Sequence, residues 1–178
     1  MAWVVWFTGL PGCGKTTIAQ RVKAMLTEKG MNVKVLQLDE IRKAITPQPR
    51  YTEEERDIVY ASLAYMAKLL SEAGVNVIVD ATANRRRYRD FARGIIPKFE
   101  EVYIRAPLEV CVSREAKRKA AFSPKGIYKK AAMEKAAVPG VSVAYEEPLA
   151  PGIDVDTTVL SAEQSARHIV NRIGDLFA

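Results

Sequence analysis

The stretch GLPGCGKTT, residues 9–17, constrains this chain more than any other part of its sequence. Gly9, Gly14, Lys15 and Thr16 match the pattern G-x-x-x-x-G-K-[ST], in which glycines let backbone N–H groups point at phosphate oxygens. The apolar run WVVWFT before the stretch predicts a buried strand, and the amphipathic run after it predicts a helix. The sequence therefore predicts a strand–loop–helix unit that binds a nucleoside triphosphate at the helix N-terminus.

Strand-like and helix-like segments alternate along the rest of the chain. We expect further strands at 32–38, 75–80, 101–106 and 157–160, and helices at 15–28, 52–73, about 85–96, 107–119 and after Ser161. This β–α alternation is typical of the α/β P-loop NTPase fold, with a mostly parallel sheet of about five strands flanked by helices. The length suits a single kinase-sized domain, 1–178.

Composition narrows the function classes. Apolar runs are no longer than a strand, so we expect no membrane span and no membrane partner. One of only two cysteines, Cys13, lies inside the phosphate loop, where a disulfide would block the nucleotide, so we expect a reducing, cytoplasmic location.

The net charge of +6 fits attraction of anionic ligands, or a general surface excess of Lys and Arg. Without a basic stretch interleaved with aromatics, we expect no nucleic-acid partner. The oligomeric state stays open, with a homodimer as one alternative.

The phosphate loop defines the triphosphate half of the site. Lys15 is expected to place its charge on the outer phosphates and to act in catalysis, and Thr16 offers a hydroxyl to Mg²⁺. Cys13 fills a variable position. ATP and Mg²⁺ are the expected cofactors. The residues expected to bind nucleotide here are Gly9, Leu10, Pro11, Gly12, Cys13, Gly14, Lys15, Thr16 and Thr17.

Two carboxylates follow predicted strands. Asp39 comes after the second strand and Asp80 ends the third, so both lie at the sheet edge where ligands bind. Asp39 is suited to accept a substrate hydroxyl's proton or to hold a magnesium-bound water, and Asp80 to hold magnesium through water. Either could instead be a helix N-cap, and the sequence leaves open which is the base. Arg42, one helical turn beyond Asp39, could meet an anionic substrate.

Two further segments carry strong charge. The run NRRRYRDFAR holds five arginines, of which one or two could bind phosphate, sulfate or carboxylate, with Arg85 and Arg86 nearest the strand. The others would form a solvated helix face. Residues 119–152, rich in lysine and proline, predict a lid, with a surface helix plus loop as the alternative. The lone histidine, His168, is interpreted as structural.

Several segments together resemble the adenylylsulfate (APS) kinase family of small-molecule kinases. GLPGCGKTTIA is similar to that family's phosphate loop, LQLDEIR to its LDGDN-[IV]-R, and YTEEER to its FS-x-x-DR. APLEVC, PKGIYKKA and YEEPLAPGIDVDT are similar to further family segments. The resemblance spans nearly the whole chain and implies transfer of the γ-phosphoryl group of ATP to the 3′-hydroxyl of APS.

The resemblance also implies residue roles. Asp39 would be the catalytic base, Arg42 and Arg56 would hold the phosphosulfate, and Tyr51 would stack near the acceptor's adenine. The remaining implied residues are Lys129 and Lys130 in the lid and Arg114 and Thr157 near the adenine of ATP.

Departures from the family pattern fall mainly on the acceptor side. Gln37 replaces the first acid of LDGD, Val59 replaces an asparagine, ATAN replaces the family's ISPY, and residues 116–123 are additional. A kinase of another small anion, such as a nucleotide or sugar phosphate, therefore stays an alternative. A regulatory NTPase is a third class, although the guanine-specific motif [NT]-K-x-D is absent.

Overall fold

The computed structural model describes residues 1–119, 122, 124–134 and 136–178. Within those ranges the chain forms five strands and seven helices. None of the helices in this described part has the length and apolar character that a membrane crossing requires. In chain order the elements are β1 (Val4–Thr8), α1 (Lys15–Glu28), β2 (Val33–Gln37), α2 (Leu38–Ile45), α3 (Glu53–Glu72), β3 (Asn76–Asp80), α4 (Arg86–Ile95), β4 (Phe99–Arg105), α5 (Leu108–Lys117), α6 (Ile127–Glu134), β5 (Ile153–Asp156) and α7 (Ala162–Phe177).

The five strands form one parallel sheet in the order β2-β3-β1-β4-β5. Every residue of the central strand β1 is buried, because helices cover both faces of the sheet. One apolar cluster packs α1 and α7 against the sheet, and a second packs α3 and α4 against the other face. The α/β fold class predicted from the sequence is confirmed. Because the strands are parallel, the loops that follow β1, β2 and β3 lie at the same edge of the sheet.

The predicted last strand at 157–160 is wrong. The strand is Ile153–Asp156, in which Ile153 and Val155 are buried and alternate with the acids. The side chain of Asp156 then accepts from Thr158 N at 2.8 Å and from Thr158 Oγ1 at 2.6 Å, and Asp156 O accepts from Leu160 N. This Asx turn stops the strand, so turn chemistry outweighs the β-propensity of TTVL.

The helices α3 and α7 begin after residues whose side chains cap them. Ser161 and Gln164 form a complete capping box at the start of α7. At α3, Thr52 Oγ1 accepts from Glu55 N at 3.2 Å, but the Glu55 carboxylate accepts from Arg50 N at 2.6 Å. The Glu55 side chain therefore does not complete the capping box, and its carboxylate can interact with the neighbouring site.

Candidate active site

The phosphate loop closes tightly around the Lys15 side chain. Gly14 caps α1 with a left-handed φ of 109°, and a Cβ on Gly9 would lie 2.0 Å from Ile104 O, so only glycine fits there. Lys15 Nζ donates to Gly9 O at 2.8 Å and to Leu10 O at 3.0 Å. The ammonium is thus held inside the loop, at the place where outer phosphates would be gathered.

Cys13 contributes packing to this loop. Its side chain is fully buried, and burial raises the pKa of its thiol against the lowering effect of Lys15. Its carbonyl accepts from Thr157 Oγ1 at 3.0 Å, and Thr157 in turn accepts from Arg114 Nη1 at 2.7 Å. Arg114 and Thr157, which the resemblance assigns to the adenine of ATP, therefore lie together beside the phosphate loop.

Thr16 and Asp80 meet across the sheet edge. Thr16 Oγ1 donates to Asp80 Oδ2 at 2.6 Å, which joins the start of α1 to the end of β3. Burial raises the pKa of the Asp80 carboxyl, and the charge of Asp39 raises it further, whereas Lys15 and the Thr16 hydrogen bond lower it. Because the charge of Asp39 affects the pKa of Asp80, the two carboxylates are close enough to interact electrostatically. Asp39 lies in the first turn of α2, whose N-cap is Gln37, so the N-cap alternative for Asp39 is wrong.

Arg42, Tyr51 and Arg56 form a compact group, called the acceptor subsite after the role that the resemblance implies for them. Both guanidinium groups face the Tyr51 ring, with Arg42 Cζ 5.1 Å and Arg56 Cζ 5.9 Å from its centroid. The two arginines are buried, and Tyr51 has a positive φ of 57°, which is rare for a residue with a side chain. Such an outlier is typical of functional positions, because the surroundings must hold it.

Arg42 is held in place by the carboxylate of Glu55, which does not complete the capping box of α3. Its Nη1 donates to Glu55 Oε1 at 3.0 Å, and Glu55 is only partly exposed. Desolvation raises the pKa of Glu55, but hydrogen bonds from Arg50 N and Arg42 outweigh it and hold that pKa below its usual value. Glu55 is therefore ionised at neutral pH and balances part of the positive charge of the acceptor subsite.

Arg56 is fixed by three acceptors. Its Nε donates to Tyr51 O at 3.2 Å, its Nη1 to Asn84 Oδ1 at 3.0 Å, and its Nη2 to Ala137 O at 3.0 Å. Sequence reasoning missed Asn84 as a member of the site. The available signal was its place in ATAN, four residues after the end of β3 and so at the ligand edge of the sheet.

A single cleft of about 800 Å³ joins these groups. Its lining includes the phosphate loop, Asp39, Asp80 and the acceptor subsite, together with residues 136–139 and Lys130 of the lid segment. The lid segment contains α6, whose Tyr128 hydroxyl donates to Pro11 O at 2.7 Å. Lys129 is exposed beside Lys130.

The five arginines of NRRRYRDFAR serve the protein itself. Arg85 pairs with Glu146, Arg87 with Glu53 and Asp57, and Arg93 with Glu100 and Glu101. Arg86 Nη1 donates to Glu147 O at 3.1 Å, and Arg89 is fully buried. None of the five belongs to the described lining of the cleft, so the expectation that one or two bind an anionic ligand is not met there.

The other departures from the family pattern lie in different parts of the structure. Gln37 lines the cleft, whereas Val59 is buried in the apolar cluster under α3. The additional residues 116–123 include 120, 121 and 123, which lie outside the described residues, while Arg118 and Phe122 line the cleft. His168 is exposed on α7.

Comparisons with known proteins agree on one family. The family model described as adenylylsulphate kinase matches residues 1–156. A probable adenylyl-sulfate kinase from Pyrococcus abyssi is 36% identical over 173 residues, covering 97% of this chain and 95% of that protein. An adenylyl-sulfate kinase from Rippkaea orientalis is 37% identical, with 97% and 91% covered. The solved structure of the APS kinase of Mycobacterium tuberculosis with AMPPNP and APS is similar at a TM-score of 0.86 and 28% identity, covering 97% of this chain and 98% of that one.

Proposed function

This chain belongs to the adenylylsulphate kinase family, and from that premise we propose that it transfers the γ-phosphoryl group of ATP to the 3′-hydroxyl of APS. The products are ADP and 3′-phosphoadenylylsulfate. The observation that carries the proposal is the cleft that joins the phosphate loop to two buried arginines around Tyr51. A triphosphate site and a dianion site face one cavity. This arrangement fits phosphoryl transfer between two nucleotides better than it fits hydrolysis.

The acceptor subsite supplies recognition. Two buried guanidinium groups can bind the phosphosulfate, because arginine offers paired donors to oxyanions in a fixed planar geometry. Burial strengthens such contacts by lowering the local dielectric. The Tyr51 ring gives the acceptor's adenine a flat surface on which to stack. Arg114 and Thr157, beside the phosphate loop, are placed to contact the adenine of ATP.

Asp39 is proposed as the general base. It lies at the start of α2 and lines the cleft together with Lys15 and Arg42. A carboxylate there can accept the proton of the 3′-hydroxyl as the oxygen attacks the γ-phosphorus, and the leaving ADP takes the electron pair of the broken P–O bond. Lys15 stabilises the negative charge that collects on the transferred group.

The donor set at the end of β3 fits magnesium. Thr16 and Asp80 present a hydroxyl and a buried carboxylate within 2.6 Å of each other, and hard oxygen donors of this type suit Mg²⁺. When bound, the ion would neutralise charge on the outer phosphates, with Thr16 holding it and Asp80 acting through water. The lid segment lines the cleft, contacts the acceptor subsite through Ala137 O, and is suited to keeping water from the phosphoryl group.

An acceptor panel tests the proposal. The protein is incubated with ATP and magnesium, and ADP formation is measured with APS, adenosine monophosphate, a sugar phosphate and gluconate as separate acceptors. We expect APS to raise ADP formation far above the acceptor-free rate. Faster turnover with a sugar phosphate or another nucleotide would replace APS by that acceptor. An equal rate with and without every acceptor would indicate a hydrolase or regulatory NTPase.

A further inference from the structure

Asn84 lies at the junction of the acceptor subsite and the C-terminal part of the lid segment. It is fully buried. Its Oδ1 accepts from Arg56 Nη1 at 3.0 Å, and its Nδ2 donates to Ala144 O at 3.0 Å. Its backbone carbonyl accepts from Glu146 N at 2.8 Å. The amide side chain therefore connects α3 to Ala144 with both of its polar ends, and the backbone of Asn84 adds the contact with Glu146.

The backbone before Asn84 is held in an unusual conformation. Ala83 has a positive φ of 44°, a conformation that residues with a side chain rarely adopt. Ala83 N donates to the Tyr60 hydroxyl at 3.1 Å, and Ala83 O accepts from Arg89. These buried contacts hold the strained turn after β3, and the turn directs the Asn84 side chain toward Arg56.

We propose that Asn84 is a positioning residue that sets the orientation of Arg56 for the anionic acceptor. The inference rests on the proposed function, because it takes the acceptor to be a nucleotide with a phosphosulfate or a similar dianion. Asn84 acts through Arg56 and leaves the triphosphate half of the site to the phosphate loop. Its role is specific to a neutral amide, which accepts from the guanidinium and donates to the Ala144 carbonyl at the same time.

Chemistry distinguishes the amide from its closest substitutes. Alanine at 84 leaves Arg56 Nη1 and Ala144 O without these partners, so the guanidinium keeps two of its three acceptors and its orientation is less constrained. Aspartate keeps the size but sets a carboxylate against the Ala144 carbonyl. It also partly neutralises Arg56, which lowers attraction for an anion. Both substitutions should weaken acceptor binding, by loss of orientation in one case and by charge in the other.

The test compares Asn84→Ala and Asn84→Asp with the wild type by steady-state kinetics. We expect KM for APS to rise at least 10-fold in both variants, with KM for ATP within about 2-fold of the wild type. Asn76→Ala is the matched control, since Asn76 accepts from Trp3 N at 3.2 Å at the start of β3, away from the cleft. It should lower the melting temperature and leave KM for APS unchanged. Equal changes in both KM values, or none in either, would overturn the proposal.

A double-mutant cycle with Arg56→Ala shows whether Asn84 acts through that arginine. Calorimetric titration of APS into protein loaded with ADP and magnesium gives the binding constants. In the Arg56→Ala background, Asn84→Ala should change Kd less than 3-fold, whereas fully additive effects would overturn the proposal. Turnover of APS by the wild type tests the proposed function separately. Wild-type binding without turnover contradicts that function alone, whereas failure of the wild type to bind APS contradicts both.

Discussion

At the scale of single residues, the site depends on charges that the protein keeps close together in a buried edge of the sheet. Lys15 is turned into its own loop and held by two carbonyls, so its charge has a fixed place before phosphate arrives. Asp80 shows the cost of such an arrangement, since burial raises the pKa of its carboxyl. At such positions a substitution can raise stability while it lowers activity, so measuring both quantities tests the role of the residue.

Replacement of Lys15 by alanine should remove most of the activity while the fold persists. The expected loss of kcat/KM is on the order of 10²-fold or more, because a main transition-state charge is removed. Lys29→Ala is the matched control, since this lysine is exposed at the other end of α1. Near-normal turnover by the Lys15 variant would contradict the assignment of the phosphate loop.

Asp39→Asn tests the general base. We expect kcat to fall about 10²- to 10⁴-fold, with Kd for ATP nearly unchanged, since an amide cannot accept the hydroxyl proton. Single-turnover kinetics together with calorimetry of ATP binding separate the two effects. A collapse of ATP binding with a modest loss of kcat would instead make Asp39 a metal-site residue and Asp80 the candidate base.

Asp80→Asn should trade activity for stability. A folded-state pKa above the ordinary value of 3.8 means that ionising this carboxyl costs free energy in the folded chain. That cost is absent below the unfolded pKa and complete above the raised folded pKa. At pH 7 the unliganded variant should melt a few degrees higher, since about 1 kcal/mol shifts Tm by about 2–4 °C in a domain of this size.

Melting curves across pH check the sign of that effect. The gain in Tm should shrink as the pH falls toward 3.8, and magnesium-dependent turnover should be lost at every pH. A variant that is less stable than the wild type at pH 7 would contradict the account of Asp80.

At the scale of elements, α4 is an anchor for the C-terminal part of the lid segment. Arg89 is fully buried, with Nε 3.4 Å from Glu101 Oε1 at ion-pair distance but without hydrogen-bond geometry, and its Nη2 donates to Glu146 O at 2.6 Å. Arg85 and Arg86 also contact residues 146–147. The arginine-rich helix therefore fixes the polypeptide at which the lid segment returns to the sheet.

Arg89→Met and Arg87→Met compare a buried with an exposed arginine of α4. Loss of Arg89 removes its ion pair with the buried Glu101 and strips Ala83 O and Glu146 O of their guanidinium donor, although Arg93 stays 3.6 Å from Glu101. The unfolding free energy should therefore fall by about 3–5 kcal/mol. Arg87 is 56% exposed, so solvent screens its ion pairs and its loss should change the unfolding free energy far less. Urea unfolding followed by circular dichroism measures both. Equal effects would contradict the anchor role.

Sequence patterns were sufficient for elements whose apolar residues repeat with the period of the structure. The strands at β1 and β3 and the helices α1, α3 and α7 follow such patterns. The patterns failed at β5, where the Asp156 turn competes with β-branched residues. The helix α4 is predicted at about 85–96, but its run of arginines also resembles a ligand site. Local composition does not reveal that Glu53, Glu101 and Glu146 come from elsewhere to pair with that run.

At the scale of the whole molecule, the parallel sheet explains why residues distant in sequence share one cleft. The order β2-β3-β1-β4-β5 places β3 between β1 and β2, so Asp80 lies next to both the phosphate loop and α2. This part of the site could be predicted from strand ends alone. The contacts of Asn84 and Ala137 with Arg56 could not, because they depend on how the lid segment returns across the sheet edge.

The central claim is tested most directly by identifying the product formed from ATP and APS. The protein is incubated with both and with magnesium, and the products are separated and analysed by mass spectrometry. The account predicts ADP and a nucleotide heavier than APS by one phosphoryl group, which a 3′-nucleotidase converts back to APS. Formation of ADP and free phosphate with APS unchanged would contradict it.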